Sequence, residues 1–190
     1  MSEDEVINPD AVIVVLTADE VRARVHELAD VLADCVAGGA SVNFLAPFEA
    51  EDARPFWWKV ADDVERGDRI VLAAVQDDVA VGTVQLVVGL PPNQPHRAEV
   101  SKLLVRRTAR RRGLGRALML RAEQEAALHG RTLLTLDTAG AGAEHLYEDL
   151  GYTAVGTIPG YALWPDGTPC DTVFYWKRID RVGHADDPEP

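Results

Sequence analysis

The sequence predicts a mixed α/β fold built around a central sheet. Three observations carry this prediction. The elements read in the order β, α, α, β, β, β, α, β, α, β, β. Short β-branched runs alternate with segments whose apolar residues recur at helical spacing. Gly, Pro and Asp clusters punctuate these elements, yet none is long enough to act as a linker. At 190 residues the chain suits one domain with a well-filled core.

Residues 12–16 are β-branched and form a first strand. Thr17 caps the helix that follows, with Glu20 at the capping-box position. Val21, Val25, Leu28, Val31, Leu32 and Cys35 line its buried side, and Gly38-Gly39 end it. A second helix follows Pro47 and runs to about residue 66, with Phe56, Trp57 and Val60 on one side. Residues 69–75 and 79–90 are strands joined by Gln76-Asp77-Asp78, a hairpin signal. After the rigid loop Pro91-Pro92-Asn93-Gln94-Pro95, a strand covers 97–105 and a helix covers 113 to about 129. Leu114, Ala117, Leu118, Ala122 and Ala126 form the apolar stripe of that helix. Residues 132–136 are a short strand. Ala143, Leu146, Tyr147 and Leu150 then have the spacing of a brief helix stopped by Gly151. Two last strands, about 152–158 and 172–179, flank a loop rich in Pro, Gly and Asp.

Composition narrows the function classes. No run approaches the roughly 18 continuous apolar residues that span a membrane. Residues 1–5 are acidic and lack the basic-then-apolar order of a signal peptide, so a cytoplasmic location with no membrane partner is expected. Cys35 and Cys170 are too few for a metal cluster, and no metal is expected. Of the net charge of −12, residues 1–10 contribute −4 (Glu3, Asp4, Glu5, Asp10) and residues 181–190 contribute −2 (Arg181 against Asp186, Asp187, Glu189). Both ends are expected to be disordered, leaving residues 11–180 as the folded domain. The remaining acidic excess opposes nucleic-acid binding and mildly favours a cationic substrate.

Against that background, Lys102, Arg106, Arg107, Arg110, Arg111, Arg112, Arg116 and Arg121 form a basic stretch without a negative residue. Within it, Arg110-Arg111-Arg112-Gly113-Leu114-Gly115 leads into the helix that starts near 113. A helix N-terminus presents unpaired N–H groups, glycines let a ligand approach the backbone, and guanidinium forks match phosphate oxygens. The pattern describes a polyanion site, most simply a diphosphate. A solvated patch is the competing reading. The Walker A signature is absent, and the dinucleotide fingerprint fits poorly because it belongs to a first strand and uses three glycines.

Leu103-Leu104-Val105, then Arg110-x-x-Gly113-x-Gly115, then a helix, resembles the acyl-CoA signature of the GNAT superfamily of N-acetyltransferases. A downstream block, Leu136 followed by Ala143-Glu144-His145-Leu146-Tyr147-Glu148-Asp149-Leu150-Gly151-Tyr152, resembles the second signature of that family. The resemblance is good over about residues 69–179. It implies a mostly antiparallel sheet flanked by helices and acetyl-CoA as co-substrate. In such enzymes the strand equivalent to 99–105 splays from its neighbour and offers its edge to the pantetheine arm. Arg110, Arg111, Arg112, Gly113, Leu114, Gly115 and Arg116 are then the phosphate cradle, and Leu103, Leu104 and Val105 the strand edge. A closer likeness, to the tabtoxin-resistance acetyltransferases, runs through residues 93–100, Leu136-Asp137-Thr138, Pro159-Gly160-Tyr161 and Pro165-Asp166-Gly167. The stretch between Asp137 and Tyr147 is a residue shorter than theirs.

The resemblance implies direct attack on the thioester, with Tyr147 protonating the departing sulfur. Glu99 and Asp137, at the ends of neighbouring strands, are the candidate bases. A free carboxylate (pKa about 4) is a weak base toward an ammonium, so a water relay or a raised pKa is required. Each carboxylate could instead pair with an arginine, and Tyr147 could simply pack. His96 beside Pro95 could relay a proton or hold a turn. Trp164 in the late loop is a better wall for the acceptor than Trp57 and Trp58, a pair on a helix. The expected activity is acetyl transfer to an amine or hydroxyl of a small molecule, with a homodimer as a possible assembly. Acetylation of a protein, or non-catalytic acyl-CoA binding, are the alternatives.

Overall fold

The computed structural model describes residues 11–139 and 141–180. The two chain ends expected to be disordered lie outside the described residues, as does Gly140. Seven strands form one sheet: β1 (Ala11–Leu16), β2 (Arg69–Gln76), β3 (Val79–Val87), β4 (Arg97–Val105), β5 (Leu133–Thr138), β6 (Thr153–Leu163) and β7 (Pro169–Arg178). Their order is β1-β2-β3-β4-β5-β7-β6. Every pairing is antiparallel except β4 with β5. The helices are α1 (Ala18–Ala23), α2 (Val25–Ala37), α3 (Ala50–Glu65), α4 (Leu114–Leu128) and α5 (Ala141–Asp149). Among the described residues, no helix is long and apolar enough to cross a membrane.

Both faces of the sheet are covered at β2, which explains why that strand reads as a continuous apolar run instead of an alternating one. Ile70, Leu72 and Ala74 pack with Leu114, Leu118, Met119 and Ala122 of α4, with Tyr147 of α5 and with Leu150 just after it. Val71 and Ala73 point the other way, against Val21, Leu28, Leu32, Trp57 and Val60 of α1, α2 and α3. Trp57 is therefore core, whereas Trp58 on the opposite side of its helix is exposed.

Several boundaries differ from expectation, each for a local reason. The first helix breaks at Arg24, whose Nη1 donates to the Asp78 carbonyl at 2.9 Å while Glu27 accepts from the Ala80 N–H at 2.7 Å. The break thus ties α2 to the β2–β3 turn, where Asp77 and Asp78 both have positive φ. The next helix begins at Ala50, not directly after Pro47; there the Asp52 carboxylate accepts from the Glu49 N–H at 2.9 Å. β3 ends at Val87 because the N–H groups of Val88 and Gly89 turn to the Asp68 carbonyl. The expected loop between the last two strands is mostly ladder. β6 and β7 extend to a tight turn in which the Trp164 N–H donates to the Thr168 carbonyl at 2.8 Å. Pro159 is tolerated there because β6 is the sheet edge.

Candidate active site

The site begins as a failure of strand pairing. β4 and β5 pair only at Arg97, Ala98 and Glu99 with Leu133, Leu134 and Thr135. Beyond these residues β5 follows β7, as far as Thr138 paired with Val173, and β4 follows β3. The two arms diverge, leaving the inner edge of β4 from Val100 onward outside any β5 ladder. A bulge exaggerates the opening: Ser101 pairs with Gln85 and Leu104 with Thr83, so β4 carries one residue more than β3. Lys102 absorbs that residue with φ +52°. Gly82 is required opposite, since a Cβ there would lie 2.9 Å from the Leu104 carbonyl oxygen.

A cavity of about 810 Å³ fills the splay. One end is the N-terminus of α4. Arg111 (φ +60°) and Gly113 (φ +74°) turn the chain into the helix, and the first intrahelical bond runs from Ala117 N–H to the Gly113 carbonyl at 3.0 Å. The amides before Ala117 have no partner within the helix, as at any helix N-terminus, and their residues line the cavity. Leu103, Leu104, Val105, Arg110, Arg111, Gly113, Leu114, Gly115 and Arg116 line this part. Arg112 does not. Glycines at 113 and 115, helix amides and guanidinium groups around one space fit the diphosphate of acetyl-CoA, and the free strand edge beside them fits its amide-bearing arm.

The basic stretch divides in space. Arg106 pairs with Asp30 at 3.1 Å, Arg107 with Asp34 at 2.9 Å and Arg121 with Glu125 at 2.5 Å. Burial opposes ionisation of Asp34, but the Arg107 backbone and side chain and the charge of Arg110 hold its carboxyl below the ordinary value. Arg110 lines the cavity yet turns partly inward, donating from Nε to the Val105 carbonyl at 2.9 Å and from Nη2 to Cys35 Sγ at 3.6 Å. Burial pushes the Cys35 thiol up, against the pull of Arg110, so it packs as a neutral thiol.

Tyr147 and Asp137 occupy the other end. The Tyr147 ring is 6% exposed and lies 5.9 Å from the Tyr152 and Tyr175 rings, while its hydroxyl closes no hydrogen bond among the described residues. Core packing and a place in the cavity lining therefore coexist at this residue. Burial, with the charge of Asp137 and the nearby Tyr175, pushes the Tyr147 phenol up to about 12. Asp137 stands on the β5 arm, exposed to the cavity. Glu99 lies where the arms meet, outside the lining, 3.7 Å from Arg97. His96 lies outside the lining, and its carbonyl accepts from Thr132 and Leu133, which ties the loop before β4 to the start of β5.

A roof covers this end. Ser41, Val42 and Asn43 of the loop after α2 face Tyr161, Ala162 and Trp164 of the β6–β7 hairpin across the cavity. Ser41 Oγ donates to the Leu163 carbonyl at 2.8 Å, and the Ala46 N–H to the Pro165 carbonyl at 2.8 Å. Lys102 also lines the cavity, which reading its charge within the basic stretch did not reveal. Its positive φ depends on a bulge that local sequence does not announce.

With this geometry in place, the comparison with known proteins is specific at the family level. The model of the acetyltransferase (GNAT) family matches residues 37–152, more than half of the chain. The chain belongs to this family. It is 33% identical over 114 residues to an uncharacterized N-acetyltransferase of the hisH–hisA intergenic region of Azospirillum brasilense. That match covers 59% of this chain and 66% of the relative, just under two thirds of its length. Among solved structures, a phosphinothricin acetyltransferase from Sinorhizobium meliloti in complex with acetyl-CoA superposes with TM-score 0.73 at 17% identity, over 95% of this chain and 94% of the other. The ribosomal-protein-alanine N-acetyltransferase from Brucella melitensis gives TM-score 0.71 at 22% identity, over 88% and 99%. At these identities the structural likeness concerns the fold. The family match carries no specific tie to the tabtoxin-resistance enzymes.

Proposed function

We propose that this protein transfers the acetyl group of acetyl-CoA to an amine of a small molecule. The observation that carries the reading is the splayed, bulged β4, whose cavity runs unbroken from the α4 amides to Tyr147 and Asp137. Bound there, acetyl-CoA supplies a thioester open to nucleophilic attack. The residues of the α4 N-terminus hold its phosphates, and the edge of β4 orients its arm.

Asp137 takes the proton that the attacking nitrogen sheds, directly or through water, as the C–N bond forms and the C–S bond breaks. Tyr147 donates a hydrogen bond to the departing thiolate, which leaves as the thiol once the proton taken up by Asp137 has passed to it through water. An ordinary thiol has a pKa of about 8.5, well below that of the Tyr147 phenol, so full proton transfer from Tyr147 to a thiolate is uphill. The contribution of Tyr147 is therefore stabilisation of developing negative charge. Glu99, outside the cavity lining and beside Arg97, is the weaker candidate for the base.

The roof favours a small acceptor over a protein. Hydrogen bonds from Ser41 and Ala46 tie the loop after α2 to the hairpin over the acceptor end, which supports a small acceptor over a folded chain. A detoxifying role like that of the tabtoxin-resistance enzymes is the finer form of this reading. It is supported by the placement of Asp137, Thr138 and Tyr161, from the segments that carry the likeness, in the cavity wall. Calorimetry with acetyl-CoA tests the proposal. Micromolar binding is expected, weakened roughly tenfold by Arg111→Ala and little by Arg112→Ala. Absence of binding to the unmodified chain would remove the reading.

A further inference from the structure

Five charged side chains line the cavity among the described residues: Lys102, Arg110, Arg111, Arg116 and Asp137. The three arginines belong to the α4 end. The acceptor end is thus left with one cation and one anion, on opposite arms of the splay. Lys102 projects from the β4 bulge and Asp137 from β5.

Lys102 is a costly residue to place here. Its ammonium sits 5.8 Å from the centre of the Phe56 ring, a favourable contact for a cation. Among the described residues it closes no hydrogen bond and no ion pair. Of its charged neighbours, the carboxylate Glu99 and the cation Arg69 both have partners of their own. Glu99 lies 3.7 Å from Arg97, and Arg69 is held by Asp63 at 3.2 Å and by Gln85. Asp137 acts on Lys102 only at longer range. Burial and Arg69 lower the Lys102 pKa, while Asp137 and Glu99 oppose that shift. A partly buried ammonium without a partner loses hydration that nothing in the fold restores.

From this arrangement we infer that the acceptor is a zwitterion of the amino-carboxylate class, with its carboxylate on Lys102 and its amine toward Asp137. The inference rests on the acetyl-transfer reading of the same cavity. A carboxylate supplies Lys102 with the charge-assisted hydrogen bonds it lacks. The amine is then held beside Asp137 and Tyr147, where attack takes place. An acceptor lacking the carboxylate leaves the ammonium desolvated and uncompensated, and this penalty is the basis of selection. The overall acidity of the chain is no guide at this point, because the local field is set by Lys102 on one arm.

The test uses the full chain, acetyl-CoA and free-thiol detection, with the common L-amino acids, their C-terminal amides and the corresponding decarboxylated amines as acceptors. At least one acid should be acetylated with kcat/KM roughly ten- to hundredfold above its own amide and amine. Lys102→Met should erase that ratio by raising KM for the acid, and Lys102→Arg should retain most of it. The affinity of each variant for acetyl-CoA reports whether it has folded. Amides or amines used as well as the acids would overturn the inference, as would an acid-over-amide ratio that survives Lys102→Met. If the unmodified chain binds acetyl-CoA but acetylates no acid in the panel, the carboxylate inference fails and acetyl transfer stands. If it does not bind acetyl-CoA, both fail.

Discussion

At the residue scale, Tyr147 packs in the core and is also the residue we propose for the chemistry at sulfur. Its ring belongs to the core on the α4 face, and the residue also lines the cavity. Tyr147→Phe should preserve the packing while removing the donor to sulfur. The expected outcome is a fall in kcat of about 10²-fold with acetyl-CoA affinity nearly unchanged, measured by steady-state kinetics and calorimetry. Asp137 and Glu99 provide a paired comparison. Asp137→Asn should lower kcat at least tenfold and flatten the acid limb of the pH–rate profile. Glu99→Gln should leave that limb in place, and the reverse pattern would move the base to Glu99.

Among the elements, the bulged strand β4 carries the greatest functional weight. Its splay from β5 opens the cavity, and its extra residue turns Lys102 into it. Close approach of β3 sustains the bulge, because Gly82 has no Cβ to press on the Leu104 carbonyl. Gly82→Ala should therefore cost about 1–3 kcal/mol in a denaturant titration, through a forced backbone shift. The same shift should weaken acetyl-CoA binding, although residue 82 does not line the cavity. A stable, fully binding Gly82→Ala variant would show that the bulge does not depend on this contact.

For the whole molecule, buried tyrosines couple stability to alkaline pH, Tyr147 and Tyr152 most strongly and Tyr175 in the same direction. Burial is the main cause at the first two: it raises the Tyr147 phenol to about 12, and with the Glu123 carboxylate it raises Tyr152 further. Above about pH 10 the unfolded chain sheds phenolic protons that the folded chain keeps. The unfolded state then binds fewer protons, so stability falls as pH rises from about 10 through 12. The Tyr147 share of that loss is on the order of 3 kcal/mol, at 1.4 kcal/mol per pKa unit. Urea midpoints at pH 9, 10 and 11 should decline, and the decline should be shallower in Tyr147→Phe.

The order of elements was legible from the sequence because each rests on local physics. Thr17 with Glu20 caps a helix, Asp77-Asp78 turns a hairpin, and Leu114, Leu118 and Ala122 mark a buried stripe. The loop proposed to hold phosphate stood out for the same reason, since its glycines and arginines are contiguous with the helix they precede. Only the tertiary structure decided which arginines face the cavity, because Asp30 and Asp34 lie more than seventy residues from Arg106 and Arg107, which they engage. It also separated Trp57 in the core from Trp164 in the cavity wall, and set Asp137 apart from Glu99 by where the β4–β5 ladder ends. The placement of Lys102 belongs to this second group. A bulge is a mismatch of register between two strands, and register is a property of the pair that neither strand encodes alone.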